Sequence, residues 1–273
     1  MESQKSYEEI TALIEDTMSS IKHKVIVGSG KGGVGKSTVS ANLAWGLAMN
    51  GFHVGILDAD INGPSIAKML GIEKLNTPMA YAGEKIQPID KGGIKIISIA
   101  SFMKNPDDPI VWRGPIKGSV IRQFLSEVEW GELDFLIVDL PPGTGDEALT
   151  IAQSIPNADG MVIVTTPQDV ALLDSRKAIT FSSLLKLPVI GVIENMSGYK
   201  CPKCGEAIDL FKKGGGEKAA SDLKVDFLGH IPIDEKIVTS CDEGESYVFK
   251  YGKTEIGKKF MEIITRIAEK IAV

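Results

Sequence analysis

The chain reads as an α/β protein, a doubly wound, mostly parallel sheet with helices on both faces. Three observations predict it. A β-branched run, Val25-Ile26-Val27, enters a glycine-rich loop and then an apolar helix carrying Val39, Leu43, Ala44 and Leu47. Apolar runs that end in polar or acidic residues recur at 52–57, 135–139, 160–167 and 188–195. Segments of helical period separate these runs, the alternation expected of parallel strands joined by crossover helices.

In order, residues 7–22 place Ile10, Leu13, Ile14, Met18 and Ile21 at helical spacing with acids between them. They are expected to form a helical arm over residues 1–23, packed on the core or partly loose, ahead of a single nucleotide-binding domain at 24–273. Residues Gly30 to Ser37 fit G-x-x-x-x-G-K-[ST] without a mismatch. Gly30, Gly32, Gly33 and Gly35 let the backbone curl with its N–H groups inward, a concavity for phosphate oxygens that also takes in Val34 and Thr38. The helix opening near Lys36 adds its positive end, Lys36 can reach the β- and γ-phosphates, and the Ser37 hydroxyl suits Mg²⁺. Lys31 is not required by the pattern. It is either a solvated lysine or a group that reaches phosphates held by a second subunit.

The strand at 52–57 ends in Asp58-Ala59-Asp60, on the edge of a parallel sheet where ligands sit. If the chain stays extended, both carboxylates face one side. One would help hold the Mg²⁺ shell and the other would face an attacking water; capping the helix after Gly63-Pro64-Ser65 is the competing role for Asp58. The less regular stretch at 76–105 predicts a hairpin through Gly92-Gly93 whose second strand, 94–99, joins the sheet. Trp112 and Arg113 lead into a helix through Ile121, Phe124 and Leu125, in a structural role or as part of a partner surface. Asp139 closes the apolar run Phe135-Leu136-Ile137-Val138, where a Mg²⁺-holding acid is expected, directly or through water. The turn-rich segment 140–146 behind it predicts a loop that responds to the γ-phosphate, with a plain turn as the alternative. Asn195, at a strand end, either reads the adenine edge, which would make the nucleotide ATP, or closes a turn.

Composition narrows the function classes. The 273 residues are 43% hydrophobic and 24% charged, with a net charge of -6, so a sizeable core is available and no basic excess exists for general nucleic-acid binding. No apolar run reaches the roughly 18 residues of a membrane span, and Met1-Glu2-Ser3-Gln4 does not open a secretory leader. Three cysteines do not suggest a disulfide scaffold, and a reducing cytoplasm is the expected compartment.

A second chemical signal is Cys201-Pro202-Lys203-Cys204. A C-x-x-C turn sets two thiolates within reach of one metal or cluster, which is half of a tetrahedral set. Redox dithiol, half a zinc site and half an iron–sulfur site all remain open on the motif alone. Cys241 stands apart, and His23, His53 and His230 show no ligand spacing. A two-fold dimer in which each chain lends Cys201 and Cys204 to one site on the axis completes the set most economically, and the same axis would let Lys31 cross to the partner.

Residues 30–38, 58–65, 112–115, 139–146, 194–197 and 201–204 together resemble the Mrp/ApbC-type iron–sulfur cluster carrier ATPases. These belong to the deviant Walker A class with MinD, ParA and the nitrogenase iron protein, and the similarity runs from about residue 24 to the end. The resemblance implies a cytosolic, homodimeric ATPase that uses Mg²⁺, shares a [4Fe–4S] cluster between two subunits and passes it to apoproteins. It makes Lys31 the signature lysine, Lys36 and Ser37 the phosphate and Mg²⁺ groups, and Asp60 the residue near the attacking water. Asp139 becomes the Mg²⁺ acid, with Asp58 kept as a further candidate ligand, Asn195 the adenine reader, and Cys201 and Cys204 the cluster ligands. Some relatives carry a cysteine-rich N-terminal segment; residues 1–23 contain no cysteine, so a second cluster there is not expected. Hydrolysis is expected to relax the loops near Asp60 and Asp146 and so alter the shared interface.

Two competing classes stand beside this reading. One is a MinD/ParA-like positioning ATPase without a cluster, supported by Phe260, Ile263, Ile264, Ile267 and Ile271 beside Lys258, Lys259, Arg266 and Lys270, a pattern able to lie on a membrane or to pack on the sheet. The other is an ATPase dimer clamped by zinc at the same four thiolates.

Overall fold

Strand β1 (Ile21–Gly28) lies inside the sheet, hydrogen-bonded in parallel to two strands much later in the chain, β7 (Leu133–Asp139) and β8 (Gly160–Thr165). The computed structural model describes residues 6–73, 81–82, 85–103, 112 and 114–272. The leader reading at Met1 to Gln4, parts of the stretch at 76–105 and Arg113 lie outside the described residues.

On one side the sheet continues in parallel from β7 to β2 (Val54–Asp58) and β6 (Ile94–Ser98), then ends at the antiparallel β5 (Ile89–Lys91). The expected Gly92-Gly93 hairpin is this β5–β6 turn, with both glycines at positive φ and the Gly93 N–H donating to the Asp90 carboxylate. On the other side β8 pairs in parallel with β9 (Val189–Lys200), and β9 pairs with β11 (Phe227–Ile233) in parallel and with the short β10 (Ala207–Ile208) antiparallel. A separate small hairpin joins β3 (Tyr81–Ala82) to β4 (Lys85–Ile86).

Alternation along the buried strands divides the core in two. Val25, Val27, Val54, Ile56, Phe135 and Ile137 pack on one face with α2 (Lys36–Met49), α3 (Ile66–Met69), α9 (Tyr247–Tyr251) and α10 (Glu255–Ile271). Ile26, Leu57, Leu136, Val138 and Ile163 pack on the other face with α1 (Tyr7–Ser19), α4 (Gly114–Glu127), α5 (Asp146–Ser154) and α6 (Asp169–Leu184). Helices α7 (Gly215–Asp222) and α8 (Glu235–Glu243) flank β11 in sequence.

The N-terminal helix is tied down. Ser6 and Glu9 form a reciprocal cap, Ile14 and Met18 are buried, and the Thr17 hydroxyl donates to the Ser126 carbonyl of α4 at 2.9 Å. The boundary expected between residues 23 and 24 falls inside β1, because Ile21 already pairs with Leu133.

The C-terminal stripe is buried in the core. Phe260, Ile263, Ile264 and Ile267 are no more than 3% exposed. Gly46 makes the close approach of α2 possible, since a Cβ there would stand 2.3 Å from the Ile264 Cδ1. Three of the four basic residues beside the stripe find partners on the protein: Arg266 donates to the Leu228 carbonyl, Lys270 pairs with Asp226, and Lys259 pairs with Glu255. Among the described residues no helix is long and apolar enough to cross a membrane. Replacing Ile267, which is fully buried, by Ala should cost about 2–5 kcal/mol of stability, read as a lower urea midpoint at unchanged slope.

Candidate functional site

The loop between β1 and α2 shapes a cleft of about 210 Å³ lined by Ser29, Lys31 to Thr38, Asp60, Met69 and Pro142. Gly33 and Gly35 hold φ of 78° and 82°, and Gly35 caps α2 in the left-handed region that glycine occupies without strain. Gly30 is required for a different reason: a Cβ there would stand 2.1 Å from the Asp174 carbonyl oxygen of α6. Unpaired N–H groups at the start of a helix, a basic side chain and a glycine-lined concavity together suit an anionic phosphate chain. Lys31 is half-buried and lines this cleft.

Behind the loop sits a buried ion pair. Lys36 Nζ is 2.7 Å from Asp139 Oδ2, with the side chains 6% and 0% exposed. The Ser37 and Ser40 hydroxyls donate to the two Asp139 oxygens, each at 2.6 Å. Ser40 was not picked out from the sequence; the signal available was its place one helical turn after Lys36. Hard oxygen donors at Ser37 and Asp139 fit Mg²⁺.

Asp58 is used differently from the extended reading. The chain turns at the end of β2, where the Asp60 N–H donates to Asp58 Oδ1, while Ser65 N–H, Ile66 N–H and the Ser98 hydroxyl all donate to Oδ2. Both oxygens of this fully buried carboxylate are engaged in holding the turn into α3, the competing capping role. Burial, with Asp139 alongside, pushes Asp58 up to about 7. Asp60 does not share its face. It is half-buried in the cleft wall, accepts the Gly63 N–H at 3.1 Å, and burial raises its carboxyl above the ordinary range.

The segment after Asp139 is fastened to the loop. The Gly143 N–H donates to the Ser29 carbonyl at 3.0 Å, and Pro142 lies against the site of a Gly32 Cβ. Asp60, Asn62, Pro142, Asp146 and Glu147 line an adjoining cleft of about 580 Å³. Lys117 on α4 joins the two segments, donating to Asn62 Oδ1 at 2.7 Å and to Glu147 Oε1 at 2.5 Å. Nothing in the sequence pattern marked Lys117, since its partners come from the loop after β2 and the first turn of α5.

Asn195, 7% exposed and just past the last residue of β9 paired with β8, donates its amide to the Val34 carbonyl at 2.9 Å. It braces the phosphate loop, and its nitrogen lies 2.2 Å from where a Gly35 Cβ would be. Its neighbour Glu194 is fully buried, and burial opposes its ionisation. Hydrogen bonds from Ser197, Gly214 and Gly216, with His230 nearby, nevertheless hold its carboxyl below the usual range.

Strand β9 ends at Lys200, and the thiol turn follows at once. The Cys201 N–H donates to the Glu206 carbonyl at 2.9 Å and the Gly205 N–H to the Cys201 carbonyl at 2.8 Å, which closes the turn between β9 and β10. The Cys201 thiol is held below its ordinary range by the Cys204 and Lys203 N–H groups. Such N–H donors favour the thiolate, the form of cysteine that binds a metal. Cys204 is exposed, Cys201 half-buried, and the nearby Ile208, Leu210 and Phe211 are exposed apolar residues. Among the described residues no group of three or more His, Cys, Asp or Glu is arranged to hold a metal. Cys241 sits on α8 with its sulfur 3.9 Å from the Thr38 hydroxyl.

A family model of the ParA group, described as NUBPL iron-transfer P-loop NTPase, matches residues 20–268. The chain is similar to iron–sulfur cluster carrier proteins of Methanocaldococcus jannaschii, at 52% identity over 95% of this chain and 89% of the relative, and of Pyrococcus abyssi, at 48% over 96% and 91%. Among solved structures, a nucleotide-binding protein from Archaeoglobus fulgidus in complex with ADP is 40% identical with a TM-score of 0.75, over 86% of this chain and 92% of that one. The cell division ATPase MinD of Pyrococcus furiosus, 21% identical with a TM-score of 0.65 over 91% and 99%, shares the fold.

The loop geometry yields a direct test. Gly30→Ala places a methyl group into the Asp174 carbonyl and should weaken nucleotide binding by about ten-fold or more, measured by titration with a fluorescent ATP analogue.

Proposed function

The chain belongs to the NUBPL iron-transfer P-loop NTPases, and from that premise we propose that it is an ATP-hydrolysing carrier that holds an iron–sulfur cluster between two copies of itself and passes it to apoproteins. The observation that carries the reading is the accessible Cys201–Cys204 turn, set at the end of the strand whose Asn195 braces the phosphate loop. Relatives of about half-identical sequence that bear the name iron–sulfur cluster carrier support it.

In this reading the loop N–H groups and Lys36 bind the phosphates, and Asp60 orients the water that attacks the γ-phosphorus as the bond to ADP breaks. Ser37 and Asp139 would hold Mg²⁺, which neutralises charge on the β- and γ-oxygens. Asn195 takes the adenine edge when it leaves the Val34 carbonyl. Lys31 extends toward phosphates bound by the second copy, so nucleotide and dimer form together. Leu173 supports a face of this kind: it is 59% exposed, next to the Asp174 whose carbonyl touches Gly30.

The cargo needs four thiolates and each chain brings two, Cys201 and Cys204. A homodimer supplies the rest, and exposed Ile208, Leu210 and Phe211 offer apolar surface around the shared site. A [4Fe–4S] cluster is the cargo we favour and apo iron–sulfur proteins are the acceptors. Three free thiols suit a reducing cytoplasm. The burial of the α10 stripe removes the main support for a membrane-positioning ATPase.

Anaerobic reconstitution with iron and sulfide should load about two iron and two sulfide per chain, the ratio for one four-iron cluster per pair. Cys201→Ser with Cys204→Ser should lose that iron and keep nucleotide binding; iron retained by the double variant would refute the ligand assignment. About one zinc per two chains, with no sulfide, would convert the reading to a zinc clamp. Lys36→Ala should abolish phosphate release in an ATPase assay while cluster loading persists.

A further inference from the structure

Strand β9 carries chemistry at two points, the Asn195 brace on the phosphate loop and the thiol turn just past Lys200. Between them the strand is irregular. Met196 and Gly198 adopt φ of 57° and 77°, and the pairing with β11 shifts register between Ile231 and Ile233. A non-glycine residue in the left-handed region persists only where its surroundings over-determine it. Here the surroundings converge on one carboxylate.

Glu194 is 0% exposed and gathers donors from three separate segments. Its Oε1 accepts the Ser197 hydroxyl at 2.5 Å, the Gly214 N–H at 3.0 Å and lies 3.1 Å from His230 Nδ1. Its Oε2 accepts the Gly216 N–H at 2.6 Å. Ser197 belongs to the irregular part of β9 and His230 to β11, while Gly214 to Gly216 form the return from the thiol hairpin into α7. The seat is tight, since a Cβ on Gly216 would lie 3.1 Å from the Glu194 Cβ and 3.0 Å from Thr165 Cγ2. Outside the cluster, Glu217 on α7 faces His230 Nε2 at 3.6 Å.

Stability alone does not call for this placement. A buried carboxylate must be fully paired or it is costly, and pairing it across three segments makes them move as one body. The residue next to Glu194 is the one that touches the phosphate loop. Two of the three segments it binds, the irregular part of β9 and Gly214 to Gly216, lead into and out of the thiol turn, and the third is the neighbouring strand β11. The bonds to Glu194 therefore tie the backbone beside Asn195 to Ser197 and Gly214.

We propose that Glu194, with Ser197 and His230, is the positioning joint that carries nucleotide occupancy of the phosphate loop to the Cys201–Cys204 turn. This rests on the reading of that turn as the cargo site, but the joint itself is testable on protein without cargo. Among the described residues no hydrogen bond links the cluster to either thiol, so the joint acts through Asn195 on one side and the hairpin on the other.

The test labels cluster-free full-length chain with a maleimide and reads Cys201 and Cys204 separately by peptide mass spectrometry, with and without a non-hydrolysable ATP analogue and Mg²⁺. In the unaltered chain the nucleotide should change the labelling rate by about five-fold or more, the ordinary range of coupling between two sites. Ser197→Ala removes one donor with little risk to folding, and Glu194→Gln removes one acceptor oxygen. Both should cut the nucleotide effect to less than about two-fold while nucleotide affinity stays within about three-fold, a split that mere destabilisation does not produce. Full nucleotide response in both variants, or none in the unaltered chain, overturns the joint. Failure of the cargo reading appears separately, as an unaltered chain that takes up no iron and sulfide while its thiol labelling still follows nucleotide.

Discussion

Everything at the ligand edge of this molecule depends on the carboxylate of Asp139. It is fully buried, and it receives the Lys36 ammonium and the hydroxyls of Ser37 and Ser40. Neither charge is stable there alone, because a buried ion left without a partner is costly, whereas pairing and the added hydrogen bonds offset the loss of water. The pair thus pins the first turn of α2 to the end of β7. In the proposed function the same ammonium also binds a phosphate, so phosphate and Asp139 would compete for it. The two serines keep Asp139 in place whichever partner Lys36 takes. A site that exchanges one anion for another needs such an anchor, since its lysine is otherwise either locked away or left without a counter-charge.

The phosphate loop was legible in the sequence because few residue types satisfy its geometry. Glycines at Gly30 and Gly35 have distinct physical causes, a close approach to Asp174 and a left-handed cap, yet both write the same letter into the pattern. The parallel strands were legible because burial on both faces leaves an unbroken apolar signature at 135–139 and 160–165. The pairing of Asp58 with three backbone N–H groups and a hydroxyl was not, because a turn and not an extended chain follows β2. The arm at 1–23 was read as separate because its helical period ends near Ile21, whereas Ile21 itself begins β1 and pairs with Leu133, 112 positions away.

Glu194 shows a different limit. It reads as one more polar residue closing an apolar run. Its meaning comes from Gly214, Gly216 and His230, partners 20, 22 and 36 positions further on, at the start of α7 and on β11, where nothing in the local composition points back to it. Lys117 is the same case on the opposite side of the cleft, binding Asn62 and Glu147 from α4. Motifs report residues that touch a ligand because chemistry narrows the choice. Residues that hold the contacting ones in place are specified by three-dimensional neighbours, and no single stretch of chain displays them.

The order of strands in the sheet also bears on how the molecule is made. Ser37 and Asp139, 102 positions apart, must meet before the cleft has a floor, and the inner face of α2 stays open until Ile264 arrives from the last helix. During synthesis the nascent polypeptide therefore carries a nucleotide loop with no acid behind it and an uncovered greasy groove. Contacts of such long sequence separation form slowly, leaving half-built chains a period of exposure in which a chaperone or a neighbouring ribosome's product can bind them.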